Sequence, residues 1–331
     1  SFVFSFSDAL QRKHVLKIAC PTRFGWENPV KLGFIEGLGD AGREVRKRSI
    51  ARERFRDGCR IQAELAPLSL SSKDFVIPGV TSFSESPLLH LVMEWLDGPP
   101  AVRYAKEQRS LGKALRIFLK VLSCANFLHS RGIIHRDFKA ENILYTSDDR
   151  VGVLDLTTAL RTGRSLTLAG TAIGTVEYAA PEQMEDARSA DELSDIFSLG
   201  IVFWEFVQGE SAPHPLNLNL REEEDKAQYV KYLAGLIPAP FRSIFENAAN
   251  VAPEKRYQDV THFAKAVADK INEIEIAEGS CTVEFSDKRT IEEKFADLQK
   301  EIADLQEQAK YHANCPFRQL AKEFFVERKK E

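Results

Sequence analysis

Apolar positions recur with two different periods along this chain. Val3–Phe6 alternates with small polar residues, and Val15–Ala19 is a second short apolar run. The polar stretch from Ser7 to His14 between them predicts a β-hairpin. Cys20 to Gly42 is rich in Gly and Pro and reads as a long loop or insertion. From Arg43 to Leu70, Val45, Ile50, Phe55, Ile61 and Leu65 recur within a charged, helix-forming segment that Gly58 and Pro67 weaken. Phe75–Val80 and Leu88–Leu96 predict a second strand pair, closed by Asp97-Gly98-Pro99-Pro100.

Beyond that break the period becomes helical. Leu115, Phe118, Leu119, Leu122, Phe127 and Leu128 form one stripe over 111–129, and 195–208 and 241–274 repeat the pattern around a loop near Pro253. The order predicts an α+β chain: a strand-rich lobe over 1–98, a helical lobe over 99–277 and a tail over 278–331. In the tail, Ile291, Phe295, Leu298, Ile302 and Leu305 follow one another at intervals of 4, 3, 4 and 3. This short heptad seam fits a homodimer zipper as well as an amphipathic helix docked on its own domain.

Composition narrows the classes. The 331 residues are 44% apolar and 28% charged, as in a globular domain with a sizeable core. A net charge of −4 leaves no basic footprint for nucleic acid. The five cysteines show no CxxC spacing, which argues against a disulfide framework or zinc site and for a reducing, cytoplasmic setting. No apolar run approaches the ~20 residues that span a bilayer. The start, Ser1-Phe2-Val3-Phe4, has neither an initiator Met nor a basic region and reads as a cut end rather than a signal peptide.

Candidate chemistry concentrates in His135-Arg136-Asp137-Phe138-Lys139-Ala140-Glu141-Asn142-Ile143-Leu144. Phosphoryl transfer needs a carboxylate to orient the attacking hydroxyl, and oxygen ligands to hold Mg²⁺ on the phosphates. Asp137 and Asn142 can supply the first and part of the second. Val153-Leu154-Asp155 is a short apolar run ending in an acid, suited to a metal that favours one or two carboxylates plus substrate phosphates.

His135-Arg136-Asp137, Asn142, Asp155 and Ala180-Pro181-Glu182 resemble, in order and spacing, the signature set of eukaryotic-type Ser/Thr protein kinases. Gly174-Thr175-Val176-Glu177-Tyr178 is similar to that family's substrate-docking segment, and Ser194 to Gly200 to its buried central helix. Arg256 matches the late arginine that pairs with the Glu of Ala-Pro-Glu. The resemblance implies a two-lobed protein-kinase-like fold, with ATP and Mg²⁺ (or Mn²⁺) as cofactors and a protein as substrate. Lys139 then contacts the γ-phosphate. In the first lobe Lys17 holds the α- and β-phosphates, Val15 covers the adenine, Met93 is the gatekeeper, and the Glu94 carbonyl and Leu96 amide bond the base; Leu144 also belongs to the cofactor site.

Glu64 is the expected carboxylate partner of Lys17, with Glu53 and Asp57 as alternatives, and Leu68 would fill the apolar spine one turn later. A phosphate-covering Gly-rich loop would lie upstream of Val3; Gly37-Leu38-Gly39 follows Lys17 and reads as part of the insertion. Asp155-Leu156-Thr157 departs from Asp-Phe-Gly, and Thr is strained at the positive φ that Gly permits. Of the activation-segment hydroxyls Ser165, Thr167, Thr171 and Thr175, Thr171 is the candidate for a phosphate that would balance Arg136. Two other readings stand beside the kinase: a non-catalytic scaffold of the same fold, and a small-molecule kinase, which the Ala-Pro-Glu segment opposes.

Overall fold

The computed structural model describes residues 2–8, 10–18, 39–84, 89–163, 175–215 and 226–277, with side chains of the first helix from residue 52 onward. Most of the expected insertion, Ser165, Thr167, Thr171 and the heptad seam from Ile291 to Leu305 lie outside the described residues. The chain divides into two compact units, Ser1–Gly279 and Ser280–Glu331, and every described element belongs to the first.

The hairpin forms from β1 (Phe2–Ser7) and β2 (Lys13–Ile18) in an antiparallel register pairing Phe4 with Leu16. Asp8 fixes its turn: one carboxylate oxygen accepts the backbone N–H groups of Leu10 and Arg12, both at 2.9 Å. A single helix, α1 (Gly39–Ser69), follows, four residues earlier than the Gly/Pro-rich composition suggested. Pro67 falls in its last turn, so the i→i−4 bond that it cannot donate is lost only at the end of the helix. Then come β3 (Phe75–Val76), β4 (Val80–Ser84) and β5 (His90–Glu94). The first sheet has the order β1-β2-β5-β4 and is antiparallel throughout.

One expected pairing is overturned here. Phe75 and Val76 pair not with the strand ending at Glu94 but, in parallel, with β8 (Val151–Val153). The partner of β5 is β4 instead. β3 thereby belongs to a second sheet, β3-β8-β7, with β7 spanning Ile143–Tyr145.

The helical lobe comprises α2 (Ala101–Glu107), α3 (Leu111–His129), α4 (Pro181–Glu185), α5 (Glu192–Gln208), α6 (Lys226–Leu236), α7 (Ala239–Ala248) and α8 (Val260–Ala277). A small two-stranded sheet joins β6 (Ile133–Ile134) to β9 (Leu160–Arg161). The central element is α5. Asp191 starts it with a capping box, Gly209 ends it at φ 67°, and every residue from Ser194 to Phe206 is buried. Phe118 of α3 meets Phe203 and Phe206 of α5 and Phe263 of α8 at ring-centroid distances of 5.5–5.6 Å. These edge and tilted contacts fill the core with large apolar area.

Gly58 sets how closely α1 approaches the helical lobe. A Cβ built there would lie 2.4 Å from the Leu156 carbonyl oxygen and 2.5 Å from the Thr157 Cα, both backbone atoms that cannot rotate away. The helix therefore packs backbone to backbone on residues 156–157. Gly58→Ala should destabilise the chain by about 1–3 kcal/mol through overpacking. A thermal melt checks this, and an unchanged midpoint would contradict the close approach.

A buried carboxyl on α5 generates a second prediction. Glu205 is fully buried, accepting bonds from the Tyr178 hydroxyl and the Ala212 N–H, each at 2.8 Å, while its other oxygen has no partner among the described residues. Burial pushes its carboxyl up to about 7. Between the ordinary glutamate value and about 7 the folded chain keeps a proton that the unfolded chain has lost. That contribution to stability is full below the ordinary value and lost as pH rises through 7. Glu205→Gln keeps the accepting oxygen and removes the titration. Its melting temperature relative to the parent should climb as pH goes from 5 to 8; a constant difference would sink the assignment.

Candidate active site

The site begins with a carboxylate that never reaches solvent. Asp195, on the first turns of α5, accepts the backbone N–H of His135 through Oδ2 and that of Arg136 through Oδ1, both at 2.8 Å. His129 Nε2 lies 2.9 Å from the same Oδ2. These bonds hold residues 135–136 in a bend in which Arg136 has φ 70°, a left-handed conformation that only surrounding contacts make tolerable for a long side chain. His135 stacks on Phe138 with centroids 4.2 Å apart, and its Nε2 lies 3.2 Å from the Leu154 carbonyl oxygen. The Arg136 side chain is buried and donates to the Ala187 carbonyl; burial draws it down to about 10.

The bend delivers Asp137, Lys139 and Asn142 to one place. Asp137 Oδ2 lies 3.1 Å from Lys139 Nζ, and Oδ1 accepts from the Thr175 hydroxyl at 3.0 Å and the Thr175 N–H at 3.2 Å. Lys139 also donates to the Thr175 hydroxyl at 2.8 Å. Asn142 Nδ2 donates to the Asp137 carbonyl at 3.0 Å, which leaves its amide oxygen as the atom available to a cation. The Leu154 N–H donates to the Asn142 carbonyl at 2.8 Å, tying that loop to the residue just before Asp155. An amide oxygen and a carboxylate brought onto adjoining segments form the hard-oxygen donor set that Mg²⁺ or Mn²⁺ takes.

Asp155 occupies the left-handed region, φ 61° and ψ 62°. The strain anticipated at Thr157 therefore sits two residues earlier, on a residue type that tolerates it, while Thr157 lies in a short 3₁₀ turn. Burial alone would raise the Asp155 carboxyl; the Lys17 ammonium and the Thr157 hydroxyl outweigh it and bring it to about 2. Lys17, 5% exposed on β2, donates to Asp155 Oδ1 and, at 3.0 Å, to Thr157 Oγ1.

Glu64 is not the partner of Lys17. It is exposed and ion-paired with Arg161. Glu53 is exposed as well, and Asp57 lies 3.6 Å from Arg60. Leu68 is 48% exposed and so fills no spine, whereas Leu65 and Ile61 of the same helix are buried. The α1 residues that face this region are Gly58 and the buried Cys59, whose thiol is pushed up to about 12 by burial and feels the charges of Lys17 and Asp155. One turn on, Gln62 donates to the Pro78 carbonyl at 3.0 Å and to Met93 Sδ at 3.3 Å.

Within the first sheet Val15 is paired in register with Met93, and Leu96 and Leu144 both lie beside Gly152 of the second. Gly152 makes room: a Cβ there would lie 2.7 Å from Leu96 Cδ1. The Glu94 side chain turns back to accept the Gly79 N–H at 3.0 Å. Gly98 lets the segment linking the lobes pass against β7, where a Cβ would come within 2.0 Å of the Tyr145 carbonyl oxygen.

Below Thr175 the docking segment is anchored from two sides. Arg256 grips Glu182 with two bonds of 2.7 and 2.8 Å, as the family resemblance implied, and Ser194 adds a third at 2.7 Å. Lys226, at the start of α6, was not anticipated. Its ammonium is buried and donates to the carbonyls of Val176 at 2.6 Å and Glu177 at 3.1 Å. Burial draws it down to about 7. Nothing in the local sequence distinguishes it from a solvated helix charge.

The chain is 29% identical over 191 residues to a probable serine/threonine-protein kinase of Clostridium acetobutylicum, covering 56% of this chain and 28% of that protein. It is 29% identical over 185 residues to the probable serine/threonine-protein kinase PknB of Lactococcus lactis, covering 54% and 29%. To the serine/threonine-protein kinase PknB of Mycobacterium tuberculosis it is 31% identical over 185 residues, covering 52% and 29%. The chain thus spans under a third of the length of these relatives. The family described as "Protein kinase domain" matches residues 40–313, most of the sequence, and the chain belongs to that family.

Proposed function

We propose that this chain transfers the γ-phosphoryl group of ATP to Ser or Thr hydroxyls of a protein substrate. The observation that carries the reading is the grouping of Asp137, Lys139, Asn142 and Thr175 on a loop held by Asp195. Asp137 accepts a hydrogen bond from the incoming hydroxyl, orients it and receives its proton. Lys139 places positive charge on the moving phosphoryl, and Thr175 holds both side chains in register. Asn142 and Asp155 would hold Mg²⁺ or Mn²⁺, which when bound would neutralise phosphate charge. Lys17 positions the α- and β-phosphates; its place rests on geometry, since the family match begins at residue 40. Val15, Met93, Leu96 and Leu144 take the adenine ring, with the Glu94 carbonyl and Leu96 N–H as its polar partners.

Protein rather than small-molecule substrate is supported by the docking segment, which Lys226 and the Arg256–Glu182 pair hold in place. Among the described residues no helix is long and apolar enough to cross a membrane. The free, buried Cys59 and Cys124 suit a reducing compartment such as the cytoplasm. The scaffold reading keeps one observation in its favour: among the described residues, no carboxylate of α1 pairs with Lys17.

Incubating the chain with labelled ATP, Mg²⁺ and generic protein substrates separates the readings. Label should enter Ser and Thr. Asp137→Asn should lower turnover by about 100-fold or more with nucleotide binding retained. Asp155→Asn should abolish transfer and the dependence of binding on Mg²⁺. Transfer near the parent rate in either variant would overturn the assignment, and nucleotide binding without transfer by the parent would favour the scaffold.

A further inference from the structure

Among the described residues Lys17 has one carboxylate neighbour, and it is the same carboxylate that the proposed chemistry requires for the metal. A lysine in that position needs a second group to hold it. On α1 the natural place for such a group is taken by Gly58, pressed on the backbone of Leu156 and Thr157 so closely that no side chain fits. Among the described side chains of the neighbouring turns, Glu64 is bound to Arg161, Asp57 lies 3.6 Å from Arg60, and Gln62 is committed to the Pro78 carbonyl and Met93.

What Lys17 does have is the Thr157 hydroxyl. Thr157 Oγ1 accepts from Lys17 Nζ at 3.0 Å and donates to Asp155 Oδ1, while the Thr157 N–H reaches the same oxygen at 3.3 Å. A hydroxyl has one proton to give and lone pairs to receive with, so it can serve the cation and the anion together. Glycine could do neither, and valine has the shape without the oxygen.

We propose that Thr157 is a positioning residue, its hydroxyl bridging Lys17 to Asp155 and taking the part that a carboxylate on α1 would otherwise play. The bridge rests on the reading of Lys17 and Asp155 as nucleotide-site residues. The close packing at Gly58 and the hydroxyl at Thr157 are two sides of one arrangement. With α1 seated directly on residues 156–157, the holder of the lysine has to come from the turn beneath the helix rather than from the helix.

The test uses the full chain and a fluorescent ATP analogue in EDTA, so that no divalent ion takes part. Thr157→Val should weaken binding by about tenfold, the scale of one charge-assisted hydrogen bond. Thr157→Ser should restore it to within about twofold, and Thr157→Val should add nothing in a Lys17→Met background. Native-like binding by Thr157→Val would overturn the proposal. So would equal weakening by Ser, which would mean methyl packing, or additive losses in the double variant, which would mean that the two side chains act separately. A parent chain that binds no nucleotide would sink the kinase reading instead. The bridge is then decided by denaturant unfolding of the parent, both single variants and the double variant without nucleotide. Coupling of at least about fivefold in the unfolding constant upholds it, and additivity overturns it.

Discussion

The acceptance of two backbone N–H groups by the buried Asp195 is the constraint on which the site depends. An ionised carboxylate withdrawn from water is costly unless its oxygens are filled by donors. Here the donors are the amides of His135 and Arg136, together with the His129 ring. The cost of leaving Asp195 unsatisfied thus becomes a force that fixes the backbone of the loop. Arg136 tolerates its left-handed φ because the loop has no cheaper way to satisfy that carboxylate.

Everything functional hangs from this anchor by short steps. Asp137 follows Arg136 directly, and Asn142 closes the loop by bonding the Asp137 carbonyl. The Asn142 carbonyl then takes the Leu154 N–H, which passes the same constraint to Asp155. Thr157 and Lys17 carry it across to the first sheet. The path runs from the middle of the helical lobe into the strand-rich lobe with a hydrogen bond or peptide link at each step. α1 closes over the end of it, seated by Gly58.

Much of this was legible in the residues. Asp137, Lys139 and Asn142 lie within one loop, so their grouping needs only local geometry, and the Arg256–Glu182 pair followed from its motif. The helices 111–129 and 195–208 were legible because their apolar stripes are wide and their ends capped. Two things were not. Phe75-Val76 is too short for alternation to name its partner, and a two-residue strand joins whichever edge the fold presents. The register of α1 was misread for a different reason. Gly58 reads as a helix-weakening residue, yet in the fold it is the contact point. Which turn faces Lys17 follows from that contact rather than from any acidic residue along the helix. Lys226 illustrates the remaining limit: a buried lysine and a solvated one look alike until the surrounding helices are in place.

That lysine also bears on how the docking segment can change. Lys226 holds Val176 and Glu177 by their carbonyl oxygens, and a carbonyl is presented by every amino acid. These two hydrogen bonds therefore form whatever side chains the two positions carry. The anchor is also robust to its own titration, since an amine that has lost its proton still has two N–H bonds to offer the two oxygens. The side chains at positions 176 and 177 can vary while these bonds still hold the backbone beneath them.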